Sequence, residues 1–258
     1  MTLTSEIGRR SRATGFRYEI DLVDALEPRF ALSVFRRNDP RVATFREVPA
    51  ARGVPDLTAV RFDQNVIDAR VAGGVRCLTT DIEVRAVLAL RRGPLSIPEI
   101  AERVNSSREY VRRSLVPMLF QLGWLKEVGP LVVLRDEARP AGRRVVTVEA
   151  KLRDWLRAFN QARHQQLSAD AAYIALDLAH ARGAVEQASA IAARGIGIIV
   201  VDAATGRHSV IARPKTVLPR NQTQVGRALI AERSLELYLR GERAGQVAPV
   251  FGWFPPGA

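Results

Sequence analysis

The chain has 258 residues, enough for one large domain or two modest ones, and its 47% hydrophobic content is that of a protein that buries a core. Lys and Arg number 39 against 27 Asp and Glu, a net charge of +12 that points to a polyanionic partner such as nucleic acid. The lone Cys77 excludes an internal disulfide or a Cys-rich zinc site, and no apolar run nears the ~18 residues that span a bilayer, so the expectation is a soluble, cytoplasmic protein with no membrane partner.

From the N-terminus, Phe16, Ile20, Val23 and Leu26 recur at helical spacing, which predicts an amphipathic helix over Phe16 to Leu26 with Glu19 beside its apolar face. Phe30 to Phe35 and Arg41 to Val48 read as strands. A third strand is predicted over Gly53 to Val60 and carries Pro55-Asp56. The pair Gly73-Gly74 marks a boundary.

The next stretch changes character. Helices are predicted over Asp81 to Leu90, Ser96 to Val104 and Ser107 to Leu122, with Ser96 and Glu99 at capping-box spacing and Asn105 to Ser107 supplying a turn and a cap. Leu122 to Val128, the turn Gly129-Pro130 and Leu131 to Leu134 read as a two-stranded ribbon. Over roughly Cys77 to Asp136, this order of helices and ribbon resembles the winged helix-turn-helix domains of bacterial regulators. By that resemblance Arg108, Tyr110, Arg112 and Arg113 open the recognition helix, where side chains reach phosphates or base edges, while Val111, Leu115 and Met118 face the core.

After Arg139 to Gly142, a linker-like stretch, strands and helices alternate. Strands are predicted over Arg144 to Leu152, Ala171 to Leu176, Gly195 to Val201 and His208 to Ala212. Helices are predicted over Arg153 to Gln166, Gly183 to Ala193 and Gln222 to Leu239. That alternation implies an α/β protein with a mixed or parallel sheet. The terminal aromatics Phe251 to Phe254 are expected to pack against the body.

Chemistry concentrates in two strings. In Val145-Val146-Thr147-Val148-Glu149-Ala150-Lys151, alternation puts Glu149 and Lys151 on one strand face and Val148 and Ala150 on the other. Lys151 is one of only three lysines, with Lys126 and Lys215, in a chain that otherwise uses arginine. Lysine, unlike arginine, can change protonation beside an activated water. Two carboxylates and an ammonium are what metal-dependent phosphodiester hydrolysis requires.

A helix, strands bearing an Asp and then a Glu-x-Lys, and a further helix and strand are the order of the PD-(D/E)xK phosphodiesterase superfamily, which this chain resembles. The resemblance implies a restriction-endonuclease-like core. Asp56 and Glu149 lie 93 positions apart, and removing the 60-residue winged segment restores an ordinary separation. The implied organisation is residues 1–76 and 137–220 as nuclease core, 77–136 as a winged-helix insertion, and 221–258 as a C-terminal helix and tail.

By the same resemblance Asp56, Glu149 and the Ala150 carbonyl would bind Mg²⁺, with Mn²⁺ able to substitute. Lys151 would stand beside the attacking water, and Glu19 would be a further ligand. Gln161 is the nearest candidate for the glutamine that members often carry on the following helix. A helical wheel sets Leu152, Trp155, Leu156, Phe159 and Ala162 as that helix's core stripe and puts Gln161 and Gln165 roughly opposite.

The implied activity is Mg²⁺-dependent DNA cleavage, in restriction, defence or repair, on a partner expected to be duplex DNA, with a homodimer or larger complex as the assembly. The rival reading is a non-catalytic DNA-binding regulator or assembly subunit on a nuclease-like scaffold; an RNA-directed nuclease is a third. His164, His180 and His208 are too scattered for a metal triad, Gly195-Ile196-Gly197 precedes a strand instead of opening a helix, and no Walker-type loop is present.

Overall fold

The computed structural model describes residues 15–35, 39–215 and 219–244. The first helix among the described residues, α1 (Glu19–Phe35), is longer than the sequence predicts and absorbs the strand expected at Phe30 to Phe35. Leu22, Leu26, Phe30 and Val34, each four residues on from the last, are all buried. Pro28 inside the helix costs about 3 kcal/mol. Burying Phe30 and Val34 returns roughly 1.5–3 kcal/mol each, which outweighs it. The Arg46 guanidinium, in the facing strand, pairs with Asp24 and Glu27 of the same helix.

Strands β1 (Val42–Arg46) and β2 (Leu57–Phe62) follow, the second starting one residue after Asp56. A helix the sequence reading missed, α2 (Gln64–Ala72), is capped by the Asp63 carboxylate, which accepts from the Val66 N–H. Helices α3 (Asp81–Leu90) and α4 (Ile97–Val104) each begin on a capping box, Thr80 with Glu83 and Ser96 with Glu99. Helix α5 runs in three pieces, Arg108–Tyr110, a π-helical turn Val111–Leu115, and Val116–Gln121. Pro117 has no N–H for the Arg113 carbonyl, and the widened turn before it makes room for the ring.

Strands β3 (Leu125–Val128) and β4 (Leu131–Leu134) form an antiparallel hairpin, with Leu95 bridging to Val132. These helices and the hairpin enclose a core of their own. It includes Val84, Val87, Ile100, Val111, Leu115, Leu119 and the fully buried Trp124.

The chain then enters β5 (Gly142–Lys151), α6 (Trp155–Gln165), β6 (Ala171–Asp177), the short helices α7 (Arg182–Glu186) and α8 (Ala188–Ala193), β7 (Ile196–Val201), β8 (His208–Ala212) and α9 (Arg220–Leu239). The protein is α/β, with a mixed six-stranded sheet ordered β1-β2-β5-β6-β7-β8. Strands β5, β6 and β7 run parallel to one another, while β1, β2 and β8 make antiparallel pairings. From Val145 to Ala150 every residue of β5 is buried, because both sheet faces are covered. Helix α1 lies on the face of Val146 and Val148, α9 packs on the other face over Val145 and Val60, and α6 joins it there over Ile174 and Ile198.

Helix α9 ties the parts together: Leu229 enters the core of α3 to α5, while Ile230, Leu235 and Leu237 enter the sheet's core. At this joint Arg70 of α2 forms a bidentate pair with Glu232 (2.7 and 2.9 Å), both 2% exposed, and stacks on Trp124. The predicted tail at Phe251 to Phe254 lies outside the described residues. Among the described residues no helix is long and apolar enough to cross a membrane.

Candidate active site

The site forms where β2 begins, β5 ends and α1 starts. The antiparallel register pairs Leu57 with Val148, so the preceding Asp56 falls beside Glu149. Its carboxylate accepts the Ala150 N–H at 2.6 Å, a bond across strands that fixes one acid against the backbone of the Glu-x-Lys string. Glu149 and Lys151 share a strand face as alternation predicts, with the Lys151 ammonium 3.6 Å from the Glu149 carboxylate.

Lys151 makes two further bonds, to the Ala150 carbonyl at 2.9 Å and to Glu19 at 2.8 Å. Glu19, expected as a further ligand beside the other acids, is therefore turned to the lysine and is half exposed. The reason is local: Glu19 is in the first turn of α1, where a long side chain reaches the one ammonium nearby more readily than two carboxylates that repel it.

The glutamine that meets the site is Gln165, four residues beyond the expected Gln161. Its amide donates to Glu149 at 2.7 Å, and it is 2% exposed. The predicted core stripe of α6 is rotated in the structure: Ala158, Phe159, Ala162 and Gln165 are buried and Leu156 is 56% exposed. The sheet accepts the small alanines closely and excludes the bulkier Leu156. Gln161 lies one turn before Gln165, with its side-chain oxygen buried and unpartnered. The available signal was the spacing of Ala158, Ala162 and Gln165, a helical stripe masked by the polar character of its last member.

Burial raises the Asp56 carboxyl above its ordinary range, opposed by the Ala150 N–H and by Lys151. Glu149 is pushed up to about 7, first by burial and then by the adjacent Asp56 charge, with Lys151 and Gln165 pulling the other way. For Lys151 burial disfavours the charge, but the bond to Glu19 and the charges of Asp56 and Glu149 outweigh it, and its pKa rises. The site is thus two carboxylates that resist joint ionisation beside a firmly protonated lysine.

Asp56 and Glu149, with the Ala150 carbonyl, offer all-oxygen donors, the set that suits Mg²⁺, which commonly takes one or two carboxylates and keeps several waters. Among the described residues no three His, Cys, Asp or Glu side chains converge on one point, in line with Glu19 facing Lys151. Arg108, Tyr110, Arg112 and Arg113 are exposed on the first half of α5, in the part of the chain with its own core. Arg112 and Arg113 both pair with Glu109. No family model, curated protein or solved structure matches this chain.

Proposed function

We propose that this chain is a Mg²⁺-dependent DNA endonuclease with a restriction-endonuclease-like core, into which residues 77–136 are inserted as a winged helix that engages duplex DNA. The observation that carries this is the juxtaposition of Asp56, just before β2, with Glu149 and Lys151 on β5: Asp56 accepts the Ala150 N–H, and the Lys151 ammonium donates to the Ala150 carbonyl and lies 3.6 Å from Glu149. A structural role for this buried carboxylate pair is costly, because burial raises the proton affinity of both acids and the Asp56 charge raises that of Glu149 further.

In this reading Asp56, Glu149 and the Ala150 carbonyl would hold the ion, which would supply a water of lowered pKa and positive charge beside the scissile phosphate. Lys151 leaves the Ala150 carbonyl and orients the attacking water or a phosphate oxygen. Glu19 returns Lys151 to one position between turnovers and keeps it protonated. Gln165 holds the Glu149 carboxylate in place through its amide. One chain supplies one such site, so cutting both strands in one encounter favours two copies, most simply a symmetric dimer.

The test is cleavage of supercoiled plasmid, linear duplex and single-stranded DNA with Mg²⁺ or Mn²⁺. Asp56→Ala and Lys151→Ala are each expected to lower the rate at least about a hundredfold, the scale of a lost electrostatic or acid–base contribution. No cutting of any substrate, with DNA binding intact and no Mn²⁺ uptake by calorimetry, reassigns the chain as a DNA-binding regulator or assembly subunit on the same scaffold.

A further inference from the structure

Away from Asp56 and Glu149, a cavity of about 600 Å³ opens where the β1–β2 loop, the start of α3 and the middle of α9 meet. Its volume is in the range of small-molecule sites. Pro49, Leu167, Val225 and Leu229 give it an apolar wall, and three arginines, Arg52, Arg85 and Arg233, line the rest. Asp81 is the only acid in the lining, and Arg85 already holds it at 2.6 Å.

Arg233 is the unusual member. It is 3% exposed yet hydrogen-bonds no carboxylate: its terminal nitrogens donate to the carbonyls of Pro49 (2.8 Å) and Thr79 (2.9 Å). Its Nε is buried without a partner. Glu83 and Glu236 act on it only through their charge. Those two acids offset its charge without touching it, and an anion in the adjoining cavity would supply the direct ionic partner that the two carbonyls do not.

We propose that this cavity is a nucleotide site, taking a nucleoside 5′-phosphate with its phosphate toward Arg52, Arg85 and Arg233 and its base against Val225 and Leu229. Guanidinium forks match phosphate oxygens, and a planar base suits an apolar wall with few polar groups. The occupant joins three parts of the chain, including the loop that runs from Pro49 through Arg52 to Asp56. The site does not depend on whether Asp56 and Glu149 cut DNA.

The experiment is calorimetric titration of the full chain in EDTA with thymidine 5′-monophosphate, thymidine and inorganic phosphate in turn. The nucleotide is expected to saturate one site, with thymidine and phosphate at least about tenfold weaker, since each lacks half of the recognised surface. Arg52→Gln and Arg85→Gln are each expected to weaken it about tenfold, the value of one charge-assisted hydrogen bond. Both arginines are exposed, and Arg85 gives up only a surface ion pair, so the variants should unfold like the parent.

Asp56→Ala is expected to bind the nucleotide as the parent does, which separates this cavity from the carboxylate site. No saturation, equal affinity for phosphate alone, or unchanged binding in both arginine variants would overturn the proposal. Displacement of the nucleotide by a 5′-phosphorylated oligonucleotide, but not by its unphosphorylated twin, assigns the source to a strand end. Failure of both to displace it assigns the source to free nucleotide.

Discussion

Burial and the neighbouring Asp56 charge strongly alter the ionisation of Glu149, and that makes it a reporter of the site. Its carboxyl titrates near 7 in the folded protein against an ordinary 4.5. Between those values the native state binds a proton that the unfolded chain has already lost, so stability falls as pH rises from about 4.5 to about 7 and levels off above. The raised Asp56 adds a slope of the same sign. His208, lowered by burial and by Arg29, contributes the opposite slope, so the useful quantity is a difference between two proteins. In EDTA, urea midpoints of the parent are expected to drop across that window relative to Glu149→Gln, whose uncharged amide has nothing to titrate. Parallel profiles for the two proteins would mean that Glu149 is not held in the protonated form. That Glu149 and Lys151 share a face is legible in the sequence because alternation along a strand is a local rule, whereas the partnership of Asp56, 93 positions away, is expected only through the family resemblance. The placement of Glu19 and Gln165 is not legible, since each depends on which way a helix is turned against the sheet.

At the scale of elements, the contact that decides how α3 to α5 are mounted is the Arg70–Glu232 pair between α2 and α9. Glu232 also accepts the Leu78 N–H, and the Arg76 carbonyl receives both Arg70 and the Trp124 indole N–H. With both charges buried, removing one strands the other, at a cost of about 3–5 kcal/mol. Arg70→Met and Glu232→Leu are each expected to lose that much in urea unfolding, while the double variant recovers most of it; additive losses would show that the two charges are not coupled. Nothing in the sequence announces this joint: Arg70 sits in the missed helix α2, whose polar Gln64 and Asn65 resemble a loop, and its partner is 162 positions away. The helices and ribbon from Asp81 to Leu134 were readable because capping boxes, periodicity and a glycine turn mark each boundary locally. The strand expected at Phe30 to Phe35 fails for the converse reason. Pro28 is a local stop signal, and the burial of Phe30 and Val34 overrides it.

At the scale of the whole molecule, the net charge of +12 is less available on α5 than a count of arginines suggests. Arg112 and Arg113, 64% and 73% exposed, both lean on the single Glu109. Exposed pairs of this kind are worth about 0–1 kcal/mol, so a phosphate can displace the glutamate, but its negative charge would remain beside the DNA. Under the proposed function Glu109 therefore weakens duplex binding. Glu109→Ala is expected to tighten binding roughly fivefold, the equivalent of about 1 kcal/mol, and to steepen its salt dependence. Arg108→Ala, which removes a cation with no acid to release, is expected to weaken binding and reduce the slope of log K against log salt by about 1. Fluorescence anisotropy with a labelled duplex between about 50 and 200 mM salt measures both quantities. If neither substitution moves the affinity or the slope, DNA is bound by another face, and α5 serves a protein partner.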